Sequence, residues 1–250
     1  MGKTVARQAG VLGGMQAWFI WMLSVSFAIW VHIIQTGYAI FNPDLQESLS
    51  LTLEQIGFAA AVYPCTAAVL QLFTGNLMDQ FGPRKTIVPA VFCVAIGVFV
   101  FSQADRYSMI LLSQVILAIG TCFGFAGAGY ITSSWFHRKN FGMIFGLVQV
   151  LLSFSVAFGQ LGFDFLLGQW SWREILLSFS LFGIGLSVLS FLFMKVPQEL
   201  PKIDFRAREF VFKTLKRSAH VIKQKEVILS AIYGGVVYGF IWALGVVWLP

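Results

Sequence analysis

The sequence predicts an all-α membrane protein: a six-helix bundle of inverted three-helix repeats, followed by part of a seventh transmembrane helix. Three observations predict it. The 250 residues are 58% hydrophobic and 11% charged, against ~25% charged in a soluble domain. Histidine aside, seven stretches lack Asp, Glu, Lys and Arg: 8–43, 55–78, 86–104, 107–137, 140–163, 175–194 and 227–250. Each is at least 19 residues long, and ~20 apolar helical residues cross a ~30 Å hydrocarbon core. Finally, Gly75, Leu77, Asp79, Gly82 and Arg84 after the second stretch are echoed by Gly159, Leu161, Asp164, Gly168 and Arg173 after the fifth. Three spans separate the copies and the two turns fall on opposite sides of the membrane, as inverted repeats require; coincidence is the competing explanation. This composition excludes a secreted, disordered or cytosolic protein.

The first stretch is a retained span and not a signal peptide, because it far exceeds an apolar region of ~7–15 residues and no small-x-small site follows it. Gly2 does not signal myristoylation, since Ala6 stands where Ser or Thr is required. The second and third spans meet at residues 79–85. Asp105-Arg106 and Arg138-Lys139 are nearly the whole of the turns flanking the fourth span, so consecutive helices pack antiparallel. Pro197 and Pro201 end the sixth span.

Residues 1–194 thus form an amino-terminal bundle, 195–226 a cytoplasmic basic linker and 227–250 the start of a second bundle. Within the linker Val211, Phe212, Leu215, Ala219 and Ile222 share one helical face, and Arg206, Lys213, Lys216, Arg217 and His220 another. This pattern fits an amphipathic helix on the inner leaflet; a solvated basic loop drawn to anionic lipid is the alternative. The chain stops at Trp248-Leu249-Pro250 without a hydrophilic tail, so a missing carboxy-terminal six-helix half is expected as a partner.

A net charge of +6 would suit nucleic acid, but its placement favours a bilayer and no nucleic-acid partner is expected. With the amino terminus cytoplasmic, Lys3, Arg7, Arg84, Lys85, Arg138, Lys139 and the nine Lys and Arg from Lys195 to Lys225 lie inside. Only Arg106 and Arg173 of the 17 lie outside, as the positive-inside rule demands. The expected location is the plasma (inner) membrane. Cys65, Cys93 and Cys122 fall inside apolar stretches at unrelated spacings, which suits packing thiols and neither a metal site nor a disulfide framework. No cofactor is implied.

The run Gly75-Asn76-Leu77-Met78-Asp79-Gln80-Phe81-Gly82-Pro83-Arg84-Lys85 has its own physical logic. Gly75 lets helices approach closely, Gly82 can take the positive φ of a tight turn, and Arg84 with Lys85 anchors the loop at the inner surface. Asp79 either accepts hydrogen bonds from another helix's amino-terminal amides or neutralises Arg84 and Lys85. The run resembles the major facilitator superfamily signature G-x-L-x-D-x-x-G-x-R-K, matched at Gly75, Leu77, Asp79, Gly82, Arg84 and Lys85. Trp172-Arg173 extends the likeness, which covers about half of a twelve-helix member. The resemblance implies an inward-side gate at Asp79, Gly82 and Arg84. It does not extend to antiport or to the usual proton relay. Gln114 stands where proton-coupled members carry Arg, Ser155 and Gln160 where antiport members carry Gly and Pro, and Gln80 where the family often carries Arg.

Intramembrane polar residues mark a cavity, being costly elsewhere. In the first span Ser24, Ala28, His32, Gln35, Ala39 and Asn42 share a face; in the fifth, Gln149, Ser153, Gln160 and Asp164 do; the fourth offers Gln114 and Thr121. His32, Gln35, Gln114, Gln149, Ser153 and Gln160 are therefore the candidate substrate-cavity residues. His32 is open to three readings: ligand, proton carrier or hydrogen-bonded packing residue. Gly120, Gly124 and Ala128 form a small-xxx-small packing stripe, and no Lys-Ser or Lys-Thr follows that would make it a phosphate cradle. Tyr233, Tyr238 and Trp242 reach either a cavity or lipid.

The expected function is secondary active transport of a small solute by alternating access. A non-transporting membrane sensor or inactive transporter fragment is the alternative. An intramembrane enzyme is a distant third, because the sequence has no G-x-S-x-G and no H-E-x-x-H and its three histidines are scattered.

Overall fold

The computed structural model describes residues 13–195 and 207–242. Lys3, Ala6, Arg7, Pro197, Pro201, Arg206, the segment from Trp248 to Pro250 and the side chains of Tyr238 and Trp242 lie outside the described residues. The helices are α1 (Met15–Leu49), α2 (Leu53–Ser102), α3 (Tyr107–Trp135), α4 (Phe141–Leu167), α5 (Trp172–Phe193), α6 (Ala207–Val221) and α7 (Lys225–Trp242). A single 3₁₀ turn, Arg138–Asn140, joins α3 to α4.

The first five helices are long and apolar enough to cross a membrane, and α2 holds two crossings. Its 50 residues are interrupted at Gly82, where φ 75° and ψ 166° leave the helical region. Both ends of α2 meet Tyr38 of α1: the hydroxyl donates to the Ile56 carbonyl at 3.3 Å, and the ring centroid lies 5.9 Å from that of Phe101. The helix therefore doubles back at Gly82, and the six expected spans are all present in an all-α membrane fold. What the sequence reads as a loop is one residue. Pro83 follows it without a break because the first turn of a helix has no use for that N–H.

Helix starts are written locally. Thr52 and Ser171 each accept from the backbone of the residue three further on, Gln55 and Glu174, whose side chains return the bond; these capping boxes begin α2 and α5. By contrast α1 continues through Pro43, Asp44 and Glu47 to Leu49, beyond the charge-free stretch that announces it.

Lipid offers no hydrophobic drive between helices, so small residues at the contacts carry the packing. A Cβ on Gly120 would stand 2.5 Å from the Ala90 carbonyl oxygen, and one on Gly183 would overlap the Trp30 ring. Gly124 meets Ala28 and Val31 at ordinary contact distance, with Ala128 fully buried beside it. Gly37 and Gly159 receive Phe163 and Ile33, which joins α1 to α4. Phe27, Trp30 and Phe41 of α1 are buried at the centre, whereas Phe154, Phe158, Leu181 and Phe191 on α4 and α5 face outward. Gly75 departs from expectation: no atom lies within 4 Å of its Cβ position, so among the described residues it makes no close helix approach.

Candidate functional site

A polar chain crosses the apolar interior. Gln35 of α1 donates through Nε2 to the Tyr63 hydroxyl of α2, which donates in turn to Thr121 Oγ1 of α3 at 2.9 Å. Thr121 Oγ1 donates in its turn to the Ala118 carbonyl at 3.4 Å. The chain runs along a cavity of about 70 Å³ whose walls include Ile34, Gln35, Tyr63, Gln114, Leu117 and Thr121. That volume holds a few waters or one polar group, against ~300–1,000 Å³ for a whole small-molecule site. The cavity walls carry no charged residue.

Of the sequence candidates, Gln35 and Gln114 come together here, and Tyr63 is the residue the sequence did not offer. His32 is half-buried and outside the cavity wall, with Nδ1 3.1 Å from the Ala28 carbonyl oxygen. Such a bond, one turn back along its own helix, occupies one ring nitrogen. On α4, Gln149 and Ser153 are exposed and Gln160 is half-buried; none lines the cavity.

The turn between the second and third spans is organised by Gly82, whose carbonyl accepts from Thr86 Oγ1 at 2.8 Å. Gly82 itself is buried, Leu77 half-buried, and Asp79, Arg84 and Lys85 exposed. Arg84 Nη2 donates to the Phe191 carbonyl at 3.1 Å, one of the last free carbonyls of α5, and its guanidinium lies 5.4 Å from the Phe191 ring centroid. Asp79 makes no hydrogen bond or ion pair with the described residues.

A counterpart stands at the opposite membrane face. Arg173, at the start of α5, donates through Nη2 to the Ala104 carbonyl at 2.6 Å, just past the end of α2, and its guanidinium lies 4.0 Å from the Trp172 ring centroid. The third and sixth spans therefore run antiparallel, each beginning with an arginine that caps the end of the other. Midway, Ser180 Oγ donates to the Ala95 carbonyl at 2.9 Å. The echo of Arg84 in Arg173 thus has a physical counterpart in matched contacts.

Comparison with known proteins gives a match to the family model "Major Facilitator Superfamily" over residues 11–250. Similar curated proteins include the "Uncharacterized transporter YybO" of Bacillus subtilis (strain 168), 19% identical over 95% of this chain and 57% of that protein. The "Riboflavin transporter RibZ" of Clostridioides difficile (strain 630) is 23% identical over 63% of this chain and 35% of its own length. The "Probable L-galactonate transporter" of Escherichia coli (strain K12) is 21% identical, with coverages of 67% and 37%. The chain spans about half the length, or less, of the curated relatives it matches.

Proposed function

The chain belongs to the major facilitator superfamily, and from that premise we propose that it carries one half of a secondary active transporter that moves a small polar solute by alternating access. The observation that carries this reading is the Gln35–Tyr63–Thr121 chain with Gln114 beside it. Polar side chains gathered around a cavity within a bilayer support a solute path, because polar groups are costly in hydrocarbon. Uncharged walls favour hydrogen-bonding groups on the solute over a formal charge. Relatives named for riboflavin and L-galactonate support the class of small solutes and no single member of it.

A second six-helix bundle completes the site in this proposal, since the cavity within the described residues is smaller than a solute. Gln149, Ser153 and Gln160 on α4 then face that bundle, and His32 borders the path. Asp79, Gly82 and Arg84 serve the inner gate, where a contact made in one state and released in the other supports rocking of two bundles. The basic residues on the Arg84–Lys85 side support a cytoplasmic amino terminus. In a cysteine-free background a cysteine at Gln80 should then label only from inside, and labelling from outside intact cells would reverse the orientation.

The test begins with a screen of solutes for stabilisation of the purified full-length protein, since a ligand of the folded state raises its melting temperature. With the solute found, Gln35→Ala, Tyr63→Phe and Gln114→Ala should each raise KM for uptake about tenfold, the loss of roughly one hydrogen bond. Wild-type KM in all three would remove the cavity from the path.

A further inference from the structure

Helix α6 is held on the molecule by one narrow strip of its surface. Phe210 and Thr214 are buried, and the Phe210 ring stands 6.4 Å from that of Phe73 on α2. Asn76 works in both directions: its Nδ2 donates to Thr214 Oγ1 at 3.1 Å, and its Oδ1 accepts from Arg217 Nη1 at 3.4 Å. Positions 210, 214 and 217 fall on one helical stripe. Phe73 and Asn76 sit on the last turns of α2 before Gly82, so α6 lies at the membrane boundary that Arg84 and Lys85 mark.

The remaining surface of α6 divides in two. Val211, Phe212 and Leu215 are 42%, 68% and 47% exposed and share a second stripe with Ile222, just past the helix end. Arg208, Lys213 and Lys216, all exposed, supply positive charge beside it, with Lys213 also reaching Glu209 at 3.5 Å on the surface. Water alone would solvate the cations and leave the apolar stripe at a cost. An anionic bilayer surface satisfies both at this depth: aliphatic and aromatic side chains enter among the acyl chains while the cations meet headgroup phosphates. The exposed apolar surfaces of the spans continue toward the same boundary.

We propose that α6 is an anionic-lipid-binding helix seated on the leaflet beside the Gly82 turn, and that Asn76 ties the lipid-bound helix to that turn. Asn76 occupies a variable position of the gating motif, so the tie is particular to this chain's residues. The proposal requires a chain that spans a bilayer and is independent of whether it transports.

Hydrogen exchange of the full chain in nanodiscs tests it, with phosphatidylcholine alone compared against phosphatidylcholine plus phosphatidylglycerol. Exchange over residues 207–221 should slow about 100-fold with the anionic lipid, roughly fivefold for each of Arg208, Lys213 and Lys216. The double variant Lys213→Glu/Lys216→Glu should lose the difference while keeping α1 to α5 protected. Protection should also spread to residues 82–86 in the wild-type chain and fail to do so in Asn76→Ala. Equal exchange in the two lipids, or a full lipid effect in the double variant, would overturn lipid binding. Protection of α6 by RNA added to phosphatidylcholine nanodiscs would overturn it in favour of a nucleic-acid surface, and unchanged spread in Asn76→Ala would overturn the tie.

Discussion

The turn at Gly82 and the turn leading into α5 both set an arginine against the end of a helix from the other three-helix repeat, yet they are built with different margins. At the Gly82 turn the chain reverses through one buried glycine, and the arginine is exposed with a 3.1 Å bond. Before α5 the reversal spans residues 168–171, Ser171 and Glu174 close a capping box, and half-buried Arg173 bonds at 2.6 Å over the Trp172 face. The difference teaches where each turn keeps its stability. One relies on a buried backbone conformation, closed by Thr86, and leaves its arginine open to water. The other relies on side chains: an exposed capping box, and a half-buried arginine laid over the buried Trp172 ring.

The largest expected effect tests the backbone half of that contrast. The φ and ψ of Gly82 lie in a region that is essentially glycine-only, so Gly82→Ala should cost about 2–3 kcal/mol and lower the melting temperature of the purified chain clearly. A wild-type melting temperature would break the comparison outright. Next come the arginines. Arg173→Ala should cost roughly 2 kcal/mol, as for a charged hydrogen bond shielded from water, and Arg84→Ala under about 1 kcal/mol, as for an exposed contact. Thermal unfolding of the two variants side by side gives the order, and the reverse order would mean that the Arg84 turn is the firmer one.

Smallest of all is Gly168→Ala, although Gly168 is the counterpart of Gly82 in the sequence echo. Its φ of −67° and ψ of −15° are ordinary helical values, and the nearest atom to a new Cβ is the Phe165 carbonyl oxygen at 3.4 Å. Its melting temperature should stay within the range set by about 0.5 kcal/mol. A large loss at Gly168 would show that the second turn also depends on a special backbone.

These particulars mark what sequence reasoning reaches. Charge-free stretches locate the spans because charge is costly in hydrocarbon, and the glycine at position 82 announces its positive φ because few other residues tolerate one. Arg173 is legible as an echo of Arg84, but its acceptor is not, since the Ala104 carbonyl belongs to the backbone and leaves no trace in residue type. Tyr63 is illegible for a related reason. As the aromatic member of an apolar span it reads as packing, and only the register of α1, α2 and α3 reveals that its hydroxyl bridges Gln35 and Thr121. Helical periodicity places Gln149, Ser153 and Gln160 on one side of α4, yet says nothing of which neighbour that side meets. For α6 two faces are legible and three exist, because the docking strip of Phe210, Thr214 and Arg217 mixes an aromatic, a hydroxyl and a cation that no hydropathy pattern groups together.

The one-residue reversal within α2 also governs where foreign sequence can be accommodated. Connections accept added residues when the backbone they interrupt is exposed and free of helix bonding. Exposed Asp105 meets that description, and exposed residues 168–170 come near it, held only to the Leu166 carbonyl in the last turn of α4. Between Phe81 and Pro83 there is no such length of chain: the only non-helical residue is buried, and its carbonyl already closes the following turn through Thr86. An epitope or reporter domain therefore belongs in the turns after the third and fifth spans, and the second and third spans must be carried together, uninterrupted, into any chimera.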